Sequence, residues 1–178
     1  MAKLLGISGS LRKNAANTKL MHEAARIFAP EEFVEGDLRL PLFDGDFEDA
    51  HGVPASVQLL ADQIAAADAV IVAGPEYNKS ISGVLKNALD WVSRTKGSPW
   101  RNKPVALMTA TAGRSGGERA QWIMHLSIMP FRPRLINGPE VLVGSASSQF
   151  DETGRLTNER YEKNLTALME NLRAAIPA

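Results

Sequence analysis

Short apolar runs rich in β-branched residues alternate along this chain with segments of helical periodicity. Each run is too short for a buried helix but long enough for a fully buried strand. Strands that alternate with helices are joined by right-handed crossovers and form a parallel sheet. Five strands are predicted, at Lys3–Ile7, Glu32–Asp37, Ala69–Ala73, Val105–Thr109 and Glu140–Gly144. Five helices are predicted, at Thr18–Ala29, Ala55–Ala67, Ser82–Ser93, Gly117–Ile128 and Asn158–Ile176.

This alternation within 178 residues predicts a doubly wound α/β fold of the flavodoxin-like type, with helices on both faces of the sheet. The expected order of the five parallel strands is 2-1-3-4-5. No linker rich in proline, glycine or serine and no repeat interrupts the sequence, so we expect a single domain over residues 1–178. Ligands of such folds bind in a crevice at the carboxyl ends of the first and third strands.

The loop after the third predicted strand has the composition of a ligand-binding loop. Gly74 ends the apolar run, and Pro75, Glu76, Tyr77 and Asn78 follow at once. Backbone amides beside a tyrosine ring suit a flat heteroaromatic ligand that carries carbonyl acceptors. The alternative is an ordinary strand-to-helix turn, because turn residues are common at such junctions.

The loop after the first predicted strand has the features of a phosphate site. It contains the hydroxyls of Ser8 and Ser10, the guanidinium of Arg12, and a possible helix N-cap at Asn17. A helix N-terminus offers free N–H groups and a partial positive charge, and arginine adds a charge-assisted contact. The loop matches neither the dinucleotide fingerprint nor the P-loop. The alternative is a solvated loop that ends in a capped helix.

Two further segments bear on the crevice. Thr111 and Gly113, followed by Gly116-Gly117, come after the fourth predicted strand, and glycines there permit close approach of the backbone to a ligand. Residues 40–54 are predicted to be irregular, either as a rim over the crevice or packed beneath the second predicted helix.

The helix predicted at Gly117–Ile128 is apolar over much of its circumference, with Trp122 and Met124 among its large residues and Met129 just beyond. A helix of this kind is expected to be buried, and a subunit interface is one place to bury it. We therefore predict a homodimer or a homotetramer.

Composition excludes several classes of function. Lys plus Arg and Asp plus Glu are both 20, so the formal net charge is zero, which argues against nucleic acid as a partner. The chain has no cysteine and only scattered histidines, so neither thiol chemistry nor a metal site is expected. No apolar run suits a membrane span or a signal peptide, so we expect a cytoplasmic protein without membrane insertion.

Two motifs are together specific for a known family. Gly9-Ser10-Leu11-Arg12-Lys13 with a later Asn17 forms the first, and Pro75–Ile81 with the downstream run Leu85–Trp91 forms the second. Across nearly its whole length the chain resembles the NAD(P)H-dependent FMN reductases, in particular their chromate, quinone and ferric reductase branch. Two positions depart from the family pattern: Ala15 replaces a serine of the phosphate loop, and Ser82 replaces a proline.

The resemblance implies three groups of FMN-binding residues. The phosphate would be held by Ser10, Arg12, Asn17 and Thr18. The isoalloxazine ring would be held by Pro75, Glu76, Tyr77 and Asn78. Thr111 and Gly113 would lie along the other side of the ring.

The resemblance also implies an FMN-dependent oxidoreductase with NADPH or NADH as co-substrate and ping-pong kinetics. Expected acceptors are quinones, free flavin, ferric complexes, chromate or azo compounds, and no side chain is required as a catalytic acid or base. Arg114, Arg119 and Lys79 are candidates for contacting the 2′-phosphate of NADPH. The alternatives are a flavodoxin-type electron carrier, which the neutral net charge disfavours, and an FMN reductase that supplies free reduced flavin to a monooxygenase.

Overall fold

A parallel sheet forms the centre of the computed structural model, which describes residues 2–177. Its strands are β1 (Lys3–Ser8), β2 (Glu32–Gly36), β3 (Ala69–Gly74), β4 (Pro104–Ala110), β5 (Arg134–Leu135) and β6 (Leu142–Val143). Their order is β2-β1-β3-β4-β5, with β6 also paired to β4, and every pairing of these strands is parallel. The predicted fold and strand order are confirmed.

The fifth position of the sheet is shared by two short strands. β5 pairs with the start of β4, at Pro104 and Val105, whereas β6 pairs with its end, at Thr109 and Ala110. The sequence predicted one strand over Glu140–Gly144, which in the structure is reduced to the two residues of β6. Gly138-Pro139 separates β5 from β6, and proline, which lacks an N–H donor, interrupts a ladder of this kind.

The described residues form six α-helices. They are α1 (Ala16–Phe28), α2 (Gly45–His51), α3 (Ala55–Ala66), α4 (Gly83–Val92), α5 (Glu118–Ile128) and α6 (Glu159–Ala174). All five predicted helices are present within two residues of their predicted ends, and Ser82 caps α4 as predicted. Helix α2 was not predicted, because its polar sequence has no apolar period. Asp44 begins it by accepting the N–H of Asp46 at 2.9 Å.

The helices cover both faces of the sheet. One face carries α1 and α6, whose Phe28 and Leu165 belong to the same core cluster as Ile71 of the central strand. The other carries α3, α4 and α5, which bury Val70 on the opposite side of the same strand. Because side chains alternate along a strand, this arrangement buries β3 completely. No helix within residues 2–177 is long and apolar enough to cross a membrane.

The segment after β2 packs against α4. The Pro41 carbonyl accepts hydrogen bonds from Asn87 Nδ2 at 2.9 Å and from Trp91 Nε1 at 2.7 Å. Asn87 Oδ1 also accepts the N–H of Phe43 at 2.9 Å. These bonds give Asn87 and Trp91 of the second motif a structural role.

Candidate functional site

A cavity of about 400 Å³ lies at the carboxyl edge of the sheet, between the loops that follow β1, β3 and β4. Seven of the ten predicted cofactor-binding residues line it: Ser10, Arg12, Asn17, Pro75, Glu76, Tyr77 and Thr111. We call this space the first cavity. Its position agrees with the crevice expected for a doubly wound sheet.

The N-terminus of α1 borders the first cavity and has no side-chain cap. Ala15 occupies the N-cap position and offers no polar side chain, so the N–H groups of residues 16–18 have no capping acceptor. Together with the helix dipole, these groups favour an anion at this end of the helix. The prediction of Asn17 as the N-cap is wrong, because Asn17 lies within the first turn.

Asn17 instead joins α1 to the end of β4. Its Nδ2 donates to the Ala110 carbonyl at 2.8 Å, and its Oδ1 accepts the Ala110 N–H at 2.9 Å. The residue is buried, with only 3% of its surface exposed. Its side chain therefore holds the wall of the cavity together, while its backbone N–H remains in the uncapped turn.

The loop after β1 supplies the exposed cation of the cavity. Arg12 is exposed, and no carboxylate within residues 2–177 forms a salt bridge with it. Ser10 Oγ accepts the Arg12 N–H at 3.4 Å, which shapes the loop. Thr18 lies outside the first cavity, and its hydroxyl is 2.9 Å from that of Ser8.

The loop after β3 forms a tight turn at the mouth of the cavity. Tyr77 and Ser80 exchange two backbone hydrogen bonds, at 2.9 and 3.0 Å. Asn78 and Lys79 between them have φ angles of 50° and 68°, as in a type I′ turn. Tyr77 is half-exposed beside the cavity, whereas Asn78 lies at the tip of the turn and does not line it.

Glu76 connects this loop to α5. Its Oε2 accepts the N–H groups of Arg119 and Ala120, at 3.1 and 3.3 Å. Because the N-cap of α5 is Gly117, which has no side chain, the Glu76 carboxylate supplies the cap that this helix lacks. Glu76 thus fixes the β3 loop against the start of α5.

The glycines of the loop after β4 serve packing within the chain. A Cβ at Gly116 would lie 2.4 Å from the carbonyl carbon of Leu142 in β6, and the φ angle of Gly116 is 68°. Its carbonyl accepts the Thr109 hydroxyl at 2.6 Å. Thr111 lines the first cavity, whereas Gly113 does not.

Sequence reasoning missed part of the cavity lining. Asn14, Ala146 and Ser147 also line it, and the last two lie on a short 3₁₀ helix at Ala146–Ser148, just beyond β6. The signal was available, because the loop after the last predicted strand reaches the same edge of the sheet. Within the described residues, no group of three or more His, Asp or Glu side chains is placed to bind a metal.

Comparison with known proteins agrees with this geometry. The sequence model of the family described as NADPH-dependent FMN reductase matches residues 2–148. An NAD(P)H-dependent FMN reductase of Pseudomonas aeruginosa is 40% identical over 172 residues, covering 96% of this chain and 92% of its own. A quinone reductase of Escherichia coli K12 is 34% identical over 169 residues, covering 92% of this chain and 89% of its own.

Among solved structures, FerB from Paracoccus denitrificans, described as a flavoenzyme NAD(P)H:(acceptor) oxidoreductase, superposes with a TM-score of 0.87. It is 29% identical, and the match covers 99% of this chain and 97% of FerB. The likeness therefore extends over nearly the whole length of both chains.

Proposed function

Because this chain belongs to the NADPH-dependent FMN reductase family and is an oxidoreductase that uses FMN and NAD(P)H, we propose that FMN binds in the first cavity and that quinones are reduced there. The main support is that predicted residues from three separate loops line one cavity beside an uncapped helix N-terminus. The flavodoxin-type electron carrier is disfavoured, because the family consists of reductases.

The phosphate end of the cavity suits a dianion. The N–H groups of residues 16–18 point from the first turn of α1, and the Ser10 hydroxyl and the Arg12 guanidinium lie on the adjacent loop. Ala15 lacks the hydroxyl that the family serine would provide, but it also leaves the helix N–H groups uncapped for the ligand. In this proposal Asn17 and Thr18 contribute their backbone N–H groups.

The other end of the cavity suits the isoalloxazine ring. Pro75, Glu76 and Tyr77 form one wall and Thr111 stands on the next loop, so a flat ring has walls on two sides. Asn78 and Gly113 belong to the same two loops and complete the proposed set. The hydrogen bonds of Glu76 to α5 hold the first of these walls in place.

When bound, FMN would supply the hydride chemistry, and the loops of the first cavity would bind NAD(P)H and then the acceptor in turn, a ping-pong order. The protein positions both partners, and no residue of the cavity is needed as an acid or base. Quinones are the acceptors that we favour, since curated relatives are quinone reductases. Free flavin, ferric complexes, chromate and azo compounds are further candidates of the same electron-accepting chemistry.

The visible spectrum of the purified protein tests this proposal. We expect flavin absorbance at one FMN per chain, bleaching under anaerobic NADPH or NADH, and recovery when a quinone is added. Parallel lines in double-reciprocal plots would support the ping-pong order. Protein that binds no FMN when flavin is added, or that is reduced but not reoxidised by quinone, would refute the proposal. Loss of FMN in gel filtration would favour the reductase that releases free reduced flavin.

A further inference from the structure

A second cavity, of about 360 Å³, lies near the amino end of β4, whereas the first cavity borders the carboxyl end of the same strand. Its walls come from the end of α4, from residues 95–101 and from the segment just after α5 that contains Phe131 and Arg132. The two cavities share no lining residue. The proposed function of the first cavity therefore does not account for the second.

Backbone hydrogen bonds hold the walls of the second cavity in place. The Asn102 N–H donates to the Arg132 carbonyl at 3.0 Å, which joins the loop before β4 to the segment after α5. The Arg101 N–H donates to the Ser98 carbonyl at 2.9 Å and closes a turn within this loop. The cavity has the size of a site for a small molecule, and walls that are already ordered lower the cost of binding one.

The second cavity carries unpaired positive charge. Arg101 and Arg132 line it, and none of its lining residues is an Asp or a Glu. Neither arginine forms a salt bridge within residues 2–177. The hydroxyls of Ser93 and Thr95 donate to carbonyls in the last turn of α4, at 2.6 and 2.8 Å, so these carbonyls already have donors and oppose an anion less. The charge of the cavity therefore favours an anionic ligand.

Trp100 adds an apolar wall and an unused donor. Only 3% of the residue is exposed, and its Nε1 is buried with no hydrogen-bond partner within the described residues. A buried N–H without an acceptor is unfavourable, so a small shift of the ring towards an acceptor in the cavity would be stabilising. Pro99 and Phe131 line the same cavity, and their apolar surfaces suit the body of an aromatic ligand.

We propose that the second cavity binds a small aromatic carboxylate, with its ring against Trp100 and Phe131 and its carboxylate on Arg101, Arg132 and the indole N–H. The guanidinium fork matches the geometry of a carboxylate, and the aromatic walls favour such a ligand over an inorganic anion. Because the cavity lies away from the first cavity, this ligand is neither the hydride donor nor the electron acceptor. The inference does not depend on the proposed function.

Isothermal titration calorimetry with 2-naphthoate, in the presence of excess FMN, tests this site. We expect one site per chain and at least about tenfold weaker binding of 2-naphthamide, which keeps the rings but has no charge. Trp100→Phe keeps an apolar wall and removes the N–H, and Arg132→Gln removes a cation. Each should weaken binding of 2-naphthoate by about tenfold or more, the range for a hydrogen bond to a charged group. Arg160→Gln, at an exposed arginine of α6 outside the cavity, is the matched control.

Steady-state assays show whether the ligand binds apart from the flavin, since 2-naphthoate at saturation should not compete with NADPH. Absence of binding to the wild type, equal affinity for 2-naphthamide, competition with NADPH, or unchanged binding in either variant would overturn the assignment. Thermal unfolding checks that the variants are folded. If Trp100→Phe does not fold, Arg132→Gln, at an exposed position, and the comparison of acid with amide decide the outcome.

Discussion

Polar residues of the two motifs differ in whether the folded chain already uses their hydrogen-bonding groups. Asn17 and Glu76 are engaged with backbone groups of other elements, at Ala110 and at the start of α5. Arg12 and Tyr77 are exposed beside the first cavity. Substitution of the first pair should therefore affect stability, and substitution of the second pair should affect ligand binding.

Arg12→Ala should weaken FMN binding without unfolding the protein. The side chain is exposed and forms no salt bridge within the described part of the chain, so its loss leaves no buried group unpaired. We expect a loss of about 1–3 kcal/mol of binding free energy, the range for a hydrogen bond to a charged group. Fluorescence titration of the apoprotein with FMN measures it, with Arg101→Ala as control. An unchanged dissociation constant would contradict the phosphate assignment.

Asn17→Ala should instead lower the free energy of unfolding. The substitution leaves the N–H and the carbonyl of Ala110 without their partners in a buried position. A buried polar group that loses its partner costs about 1–3 kcal/mol. Urea denaturation of the apoprotein measures the change, and Lys13→Ala, at an exposed position of the loop before α1, is the control. Equal stability of wild type and Asn17→Ala would show that the pair contributes nothing.

At the scale of elements, the sequence predicted those strands and helices whose positions are determined by hydrophobic periodicity and by capping residues. The apolar runs of β1, β3 and β4 and the apolar faces of the five long helices are local properties, and they were predicted within two residues. Helix α2 and strand β5 were missed, because neither has an apolar period of its own. α2 depends on the Asp44 cap, and β5 on pairing with β4.

The candidate site was likewise predicted only where local sequence features determine it. Its loops were predicted because the carboxyl ends of parallel strands meet at one edge. The pairing of Asn17 with Ala110 and of Glu76 with α5 was not predicted, because it joins residues 93 and 43–44 positions apart. Contacts of this kind depend on how the elements pack, which no local pattern contains.

The turn between the last 3₁₀ helix and α6 gives a pH-dependent prediction. The Thr153 hydroxyl, at 2.7 Å, and the Arg155 N–H, at 3.0 Å, donate to Asp151 and lower its pKa below the ordinary 3.8. A carboxyl whose pKa is lowered in the folded state stabilises that state above its unfolded pKa and loses this effect as the pH falls through the folded pKa. Asp151→Ala should therefore lower the Tm at neutral pH.

Thermal unfolding across a pH series tests this prediction. The Tm difference between wild type and Asp151→Ala should shrink as the pH falls from about 5 towards 1. Glu152→Ala, at the neighbouring exposed position, is the control and should show no such trend. A Tm difference that stays constant with pH would mean that the Asp151 charge has no part in the turn.

At the scale of the whole molecule, α5 exposes more apolar surface than the sequence led us to expect. The helix was predicted to be buried, but the single chain buries only one side of it, with Met124 and Ile128 in the core. Trp122, Leu126 and Met129 are 63%, 65% and 58% exposed. Their spacing of four and three residues places them along one stripe, which we call the α5 stripe.

Burial of the α5 stripe in a homo-oligomer would remove this surface from water, which supports the proposal of a homodimer or homotetramer. Closed two-fold symmetry, in which the stripe of one copy meets the same stripe of another, is the commonest solution.

A charge placed in such an interface is opposed by its symmetry mate at short range, and it must also lose its hydration. Leu126→Glu should therefore convert the assembly into a smaller species at micromolar concentration, as measured by light scattering after gel filtration. Leu59→Glu, at a similarly exposed leucine on α3, is the matched control and should leave the mass unchanged. A wild-type protein with the mass of one chain, or an oligomer that persists in Leu126→Glu, would contradict an interface at the α5 stripe.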